Sequence, residues 1–394
     1  MTMVDLAQLR ERFGKLFGGE PRIFRAPGRV NLIGGHVDYN EGWVLPIAID
    51  RYCHVLASAR DNSMLRIHSE QFDETVEHAS GAPHLDSARY KRGDSHHWSD
   101  YVRGVAWWLG KAGAKLSGAD LLIASDVPVG SGLSSSAALE VSTAFALLGL
   151  SNQTMERTAI ASACQRAENE FVGMRCGLMD QLAACFGKQG HALRIDCRTL
   201  AVEAVPLDES QVRVVVANTM VKHALAASEY NARRAECEAA VRWIQTQRPG
   251  VRALRDVAWH EIEPFAKSWP EKLRRRARHV TTEIARVPAA VQALRHSDWE
   301  AMRRLMEASH ASLDADYQVT SPELNTMASL ARELPGYCGA RMTGGGFGGC
   351  TVNLVRAEHA ESFAAELVAR YESATGRRAE VYVCRASEGA GEIE

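Results

Sequence analysis

The spacing of apolar and polar residues changes several times along the chain, and each change predicts an element. Residues 1–19 set apolar positions among charges at helical intervals, which predicts an amphipathic helix. The first 60 residues otherwise alternate strand-like runs with Gly- and Pro-rich turns. Residues 44–60, rich in Val, Ile, Leu and Ala with polar positions between, predict strands. Residues 98–110 carry one apolar face and predict a helix. Residues 119–126 form a short apolar strand leading through a Gly- and Ser-rich turn into a helix over 137–150, which ends near Gly149. A second helical stretch covers about 152–171, and strands are expected at 191–197 and 212–218. From about 224 to 331 the pattern is mostly helical. A strand pair around a Gly-rich turn follows at 340–355, then a helix at 358–375 and a strand at 379–384. The acidic, Gly-containing last residues read as a loose tail.

The length of 394 residues suits two domains of ordinary size, and the division is expected between the two middle strands, giving 1–206 and 207–394. Strands and helices mix in both halves, which predicts an α+β architecture. A composition of 46% hydrophobic and 24% charged residues excludes a disordered or low-complexity chain. With 46 basic and 48 acidic side chains the net charge is −2, so no overall positive field recommends nucleic acid or an anionic membrane as partner. The basic run RRRAR at 274–278 has no interleaved aromatic residues and reads as a solvated helix face. No apolar run reaches membrane-spanning length, and residues 1–19 lack the apolar core of a signal peptide, so a cytoplasmic protein is expected. The nine cysteines are irregularly spaced without a CxxC pair, which predicts reduced thiols, most of them small core residues.

Four segments carry candidate chemistry. In PVGSGLSSS (128–136), Gly130 and Gly132 let the backbone turn close to an anion. The following helix start offers free N–H groups, and three serines add hydroxyls. The Walker lysine is absent, and Gly-Ser-Gly before a helix also suits an ordinary capped turn; the serine run favours a nucleotide site. RAPGRVNLIGGHVDYN (25–40) packs Arg, His, Asp, Tyr and Asn densely beside apolar strands, as recognition of a polyhydroxy ligand requires, though a solvated loop with a structural Arg has the same composition. In GMRCGLMDQ (173–181), Asp180 is a lone carboxylate among Leu178, Met179 and Leu182, with Glu168 upstream. Such a group can take a proton from a hydroxyl, or can cap a helix or join a buried salt bridge. TGGGFGGC (343–350) permits close approach to a ligand, or forms a flexible hairpin turn.

In this order, the four segments resemble the galactokinase branch of the GHMP small-molecule kinases, and residues 221–237 match that branch as well. The resemblance covers roughly residues 20–385. It implies an N-terminal mixed α/β domain and a C-terminal ferredoxin-like domain with the active site between them. It further implies ATP and Mg²⁺, and transfer of a phosphoryl group to the anomeric hydroxyl of a small-molecule sugar; a monomer is expected. On that pattern Asp180 is the base and Arg29 stabilises the transferring group. Gly130, Ser131, Gly132, Leu133, Ser134 and Ser135 cradle the nucleotide phosphates, with Trp98 near the adenine. Ser136 and Glu168 hold the metal, and Gly35, His36, Asp38, Gly177 and Tyr230 contact the sugar. One position departs: the family usually has Glu where this chain has Gly35. A hydrogen bond to a charged group is worth ~1.5–3 kcal/mol, so its loss relaxes selection for a C6 hydroxyl. Galactose is the expected substrate, with a C6-altered sugar such as galacturonic acid or arabinose as the alternative. A non-catalytic sugar sensor is a further alternative, which the intact serine loop, Arg29 and Asp180 disfavour.

Overall fold

A computed structural model describes residues 4–79, 97–221 and 226–394. Among them, the strands form three sheets. The largest sheet has the order β13-β1-β3-β6-β4-β5. Its members are β1 (Arg22–Asn31), β3 (Pro46–Arg60), β4 (Met64–Ser69), β5 (Glu74–Ala79), β6 (Gly118–Ser125) and β13 (Gly391–Ile393). The pair β4–β6 is parallel and the rest are antiparallel. A small sheet joins β2 (Trp43–Val44), β7 (His191–Asp196) and β8 (Val202–Pro206). The third sheet, in the order β10-β11-β9-β12, holds β9 (Val212–Asn218), β10 (Tyr337–Met342), β11 (Cys350–Arg356) and β12 (Glu380–Cys384). With its helices this is the βαββαβ arrangement of a ferredoxin-like unit.

The helices are α1 (Leu6–Phe17), α2 (Ser99–Lys111), α3 (Ser135–Leu150), α4 (Arg157–Arg166), α5 (Met179–Phe186), α6 (Ala226–Gln245), α7 (Trp259–Ala266), α8 (Glu271–Arg295), α9 (Trp299–Ser312), α10 (Pro322–Arg332) and α11 (Ala360–Thr375). Helix α3 is rich in Ala and Leu on all sides, the pattern of a core helix. It packs against β1 and β3, and Ser135 and Ser136 of its first turn line the cavity described below. The β1–β3 register shifts between Pro27 and Arg29. Gly28 lies in that irregularity, and a Cβ on it would come within 2.8 Å of the Leu133 carbonyl. The close approach lets the Arg29 N–H donate to Leu133 O at 3.1 Å, which brings the end of β1 to the serine-rich turn.

Several expectations need correction. The last residues are not a loose tail: β13 pairs with β1 and Arg22 bonds both oxygens of Glu392 at 2.7 Å. Pro206 ends β8 and Leu207 precedes β9, and β13 joins the first sheet. The stretch 152–171 is not one helix; α4 begins at Arg157 and passes into a π-helical turn at Ala167–Val172. The basic run at 274–278 is not uniformly solvated. Arg276 is buried, donating to Glu236 at 2.7 Å and to Gln318 at 3.0 Å, because α6 and the segment after α9 close over that face of α8. All nine cysteines are free thiols, eight of them buried. Among the described residues no helix is long and apolar enough to cross a membrane.

Candidate active site

The turn between β6 and α3 builds one wall. Gly132 is left-handed at φ +83°, a conformation open to glycine, and Ser134 adopts φ +60° at the helix start. Ser131 Oγ donates to Pro128 O at 2.8 Å and ties the turn to itself. The glycine turn between β10 and β11 lies directly on it: a Cβ on Gly344 would meet Gly132 O at 2.5 Å, and one on Gly349 would meet Ser131 O at 2.5 Å. Only residues without side chains permit that contact.

Asp180 sits in the first turn of α5. Arg29 reaches it from β1 with two parallel bonds, Nε to Oδ1 at 2.8 Å and Nη2 to Oδ2 at 2.7 Å. Arg29 Nη1 also donates to Gly132 O, and Ser134 Oγ donates to Asp180 Oδ2 at 2.5 Å. A bidentate guanidinium–carboxylate contact fixes both planes as well as the distance. Arg29 is almost fully buried and Asp180 about one-quarter exposed, so the carboxylate faces the opening.

These groups line a cavity of about 230 Å³. Its lining includes Gly35, His36, Asp38 and Tyr230 on one side, Gly130, Gly132, Ser134, Ser135, Ser136 and Glu168 on the other, and Gly344–Gly346 across the cleft. Ser131, Leu133 and Gly177 are not among its lining residues. Burial, and then the nearby Asp180, raises the Asp38 carboxyl to about 6. A Cβ on Gly177 would stand 2.0 Å from Asp38 Oδ2, so this carboxylate needs glycine at 177. Tyr230 is buried on α6, its ring 5.3 Å from that of His36. Both His36 ring nitrogens are engaged, Nδ1 with the Tyr39 hydroxyl at 2.9 Å and Nε2 with Gly345 O at 3.2 Å. His36 therefore presents ring carbons to the cavity. Glu168 is buried, accepts from Cys176 Sγ at 3.2 Å and Gln181 Nε2 at 2.9 Å, and hydrogen-bonds Ser136. Burial, and then Asp180, raises its carboxyl to about 7.

A second, more apolar cavity of about 120 Å³ adjoins the first and shares Ser135 and Ser136 with it. Trp98 lines it, its ring stacked on Phe72 (centroids 5.8 Å apart, planes 14° apart) and its Nε1 bonded to Glu74 at 2.7 Å. Tyr101, Val129 and Leu139 also line it.

Curated relatives place the chain. It is 47% identical over 392 residues to a galactokinase of Roseiflexus sp., covering 99% of this chain and 98% of the relative, and 46% identical to one of Chloroflexus aurantiacus over 98% and 97%. The chain belongs to the galactokinase family. Family models agree along its length: the galactokinase galactose-binding signature matches residues 11–59, the GHMP kinase N-terminal domain 100–188 and the GHMP kinase C-terminal domain 290–373. The solved structure of Lactococcus lactis galactokinase complexed with galactose superposes with a TM-score of 0.92 at 36% identity, over 98% of this chain and all of that one. A mevalonate kinase at 16% identity and TM-score 0.63 shares the fold. As a galactokinase-family member, the protein is a sugar kinase with two-domain GHMP architecture.

Sequence reading missed several residues of this galactokinase-family site. Gln181 bridges Glu168 and the buried Glu140 through one amide nitrogen, at 2.9 and 3.0 Å. Its place beside Asp180 and the helical i+4 spacing of Glu140 from Ser136 were the available signals. Phe72 and Tyr101 had none, since nothing local links them to Trp98. Part of the matching stretch 221–237, residues 222–225, lies outside the described residues.

Proposed function

We propose that this chain transfers the γ-phosphoryl group of ATP to the anomeric hydroxyl of D-galactose, giving galactose 1-phosphate and ADP. The observation that carries this reading is the two-pronged Arg29–Asp180 contact, set between the sugar-side Asp38 and the serine-rich turn. Asp180 accepts the proton of the anomeric hydroxyl as its oxygen bonds to the γ-phosphorus and the bond to the β-phosphate oxygen breaks. Arg29 orients that carboxylate and offsets negative charge on the moving group. Phosphoryl transfer needs little covalent help from a protein, so positioning and charge carry the rate. Asp38 accepts from sugar hydroxyls, with Gly35, His36, Gly177 and Tyr230 shaping their pocket. Gly130–Ser135, at the amino end of α3, hold the phosphates on backbone N–H groups and hydroxyls. The cavity beside Trp98 takes the adenine.

Ser136 and Glu168 present hard oxygen donors side by side, which fits Mg²⁺. That ion commonly uses one or two protein oxygens and fills its remaining positions with phosphate and water. When bound, the ion neutralises phosphate charge.

A C6-altered sugar is the second reading. The side-chain space of Gly35 is backed by the buried guanidinium of Arg341, a cation that tolerates a C6 carboxylate better than another carboxylate would. The experiment is ATP consumption with galactose, galacturonate and arabinose in parallel, with ³¹P NMR to locate the phosphate. A higher kcat/KM on galacturonate than on galactose selects the second reading. Absence of a sugar 1-phosphate with all three, despite ATP binding, overturns both.

A further inference from the structure

The hydrogen bonds behind the sugar pocket have one consistent direction. The Gly345 carbonyl can only accept, so His36 Nε2, 3.2 Å away, carries the ring proton. Nδ1 is then a lone pair and accepts from the Tyr39 hydroxyl at 2.9 Å. The Tyr39 oxygen accepts in turn from the Tyr317 hydroxyl at 2.7 Å. The Tyr317 oxygen accepts from the Cys237 thiol at 3.1 Å. Reversing one link alone leaves two lone pairs facing each other at a neighbouring link. Burial supports a neutral ring, since it pulls His36 down to about 3.

The chain crosses the cleft. Cys237 is on α6, Tyr317 follows α9, His36 and Tyr39 belong to the loop after β1, and Gly345 belongs to the glycine turn. That turn presses on the phosphate-side turn, where Gly344 meets Gly132 and Gly349 meets Ser131. His36 holds its place in a left-handed backbone conformation at φ +59°, unusual for a residue with a side chain.

We propose that His36 is a positioning residue: its Nε2–H clamps the glycine turn, and through that turn the phosphate side of the cavity, to the sugar-binding loop. The proposal rests on the sugar-kinase reading for its meaning in turnover. Nucleotide and sugar binding are thereby coupled through a ring that spends neither nitrogen on the sugar. Tyr39 selects the tautomer, although it lines neither of the two cavities described above.

The test uses the full chain with ¹⁵N-labelled histidine, together with Tyr39→Phe, His36→Gln and His36→Phe. Long-range ¹H–¹⁵N spectra are expected to show His36 neutral and protonated at Nε2 from about pH 6 to 8, spanning the range where an ordinary imidazole titrates. Tyr39→Phe keeps the ring but removes the donor to Nδ1. It is expected to raise the KM for ATP by ~2–10-fold, the worth of one net hydrogen bond. Gln can still donate to Gly345 O and is expected to retain nucleotide affinity better than Phe at the same position. An Nδ1-protonated or charged ring overturns the proposal. So does a Tyr39→Phe enzyme whose sugar KM rises while its ATP KM stays fixed, because His36 would then serve the sugar directly. If no sugar is phosphorylated, the functional reading fails, while the tautomer and the calorimetric affinity for ATP still decide this proposal.

Discussion

Adding one methyl group at position 35 probes the sugar-side wall. An ideal Cβ there would stand 2.5 Å from Nη2 and 3.3 Å from Cζ of Arg341, and 3.4 Å from Leu313 Cδ2. Arg341 cannot step aside freely. It is fully buried, its Nε donates to Met342 O at 2.8 Å and its Nη1 pairs with Glu283 at 3.2 Å. Glu283 also accepts from the N–H groups of Gly34 at 2.9 Å and Gly35 at 3.0 Å, and from Ser309 at 2.6 Å. Burial alone would raise this carboxyl, but Arg341 and its other charged neighbours outweigh burial and hold it at about 2. Overpacking by a methyl costs ~1–3 kcal/mol, and pushing Arg341 off its partner takes the loss toward ~3–5 kcal/mol. At roughly 2–4 °C per kcal/mol, the overpacking alone lowers the Tm of Gly35→Ala by ~2–12 °C in scanning calorimetry. Gly35→Glu adds a carboxylate that must share Arg341 with Glu283, and two carboxylates ~4 Å apart repel by about 1–4 kcal/mol. We therefore expect restoring the family's usual Glu to lower kcat/KM for galactose by ~10-fold or more, with part of the loss recovered by adding Glu283→Ala. An unchanged Tm for Gly35→Ala, or a Gly35→Glu enzyme that gains on galactose, refutes the reasoning.

Asp180→Asn and Arg29→Ala are each expected to cut kcat by ~10²–10⁴ in a coupled ADP-release assay, the usual reach of a proton-transfer group. In Gly177→Ala the new Cβ lands 2.0 Å from Asp38 Oδ2, so the carboxylate must move and the KM for sugar is expected to rise by at least ~10-fold, an energy of ~1.4 kcal/mol. Asp38, raised to about 6, keeps its proton in the folded state at pH values where the unfolded chain has lost it. Stability therefore falls as pH rises through that window, while sugar affinity measured by calorimetry grows as the anion forms; Asp38→Asn removes the inflection. Trp98→Ala is expected to weaken ATP binding by ~5–100-fold, the ~1–3 kcal/mol of a lost base stack, and to spare sugar affinity.

Elements with a strong local signal were legible, such as the Ala- and Leu-rich α3 and the short buried β6, because their composition alone marks them for the core. The motif residues were legible for a related reason: they stand at element ends, where the backbone turns and side chains converge. What escaped was long-range. Nothing near residue 391 announces that it pairs with Arg25. Arg276 looks like its exposed neighbours until Glu236 arrives from α6 and Gln318 from the segment after α9. Glu283 and Arg341 lie 58 residues apart, and neither in isolation points to the glycine between them and the cavity.

The pairing of β13 with β1 also sets a timetable for biosynthesis. Arg22 and Glu392 are 370 residues apart, so at ~5–20 residues per second β1 waits on the order of 20–70 s for its outer neighbour. Throughout that interval the nascent first sheet presents an open margin of unpaired amides, the kind of template another chain can extend. Helix α1, made just before it and packed over the same sheet through Leu9 and Phe13, is the cover available while the ribosome finishes its work.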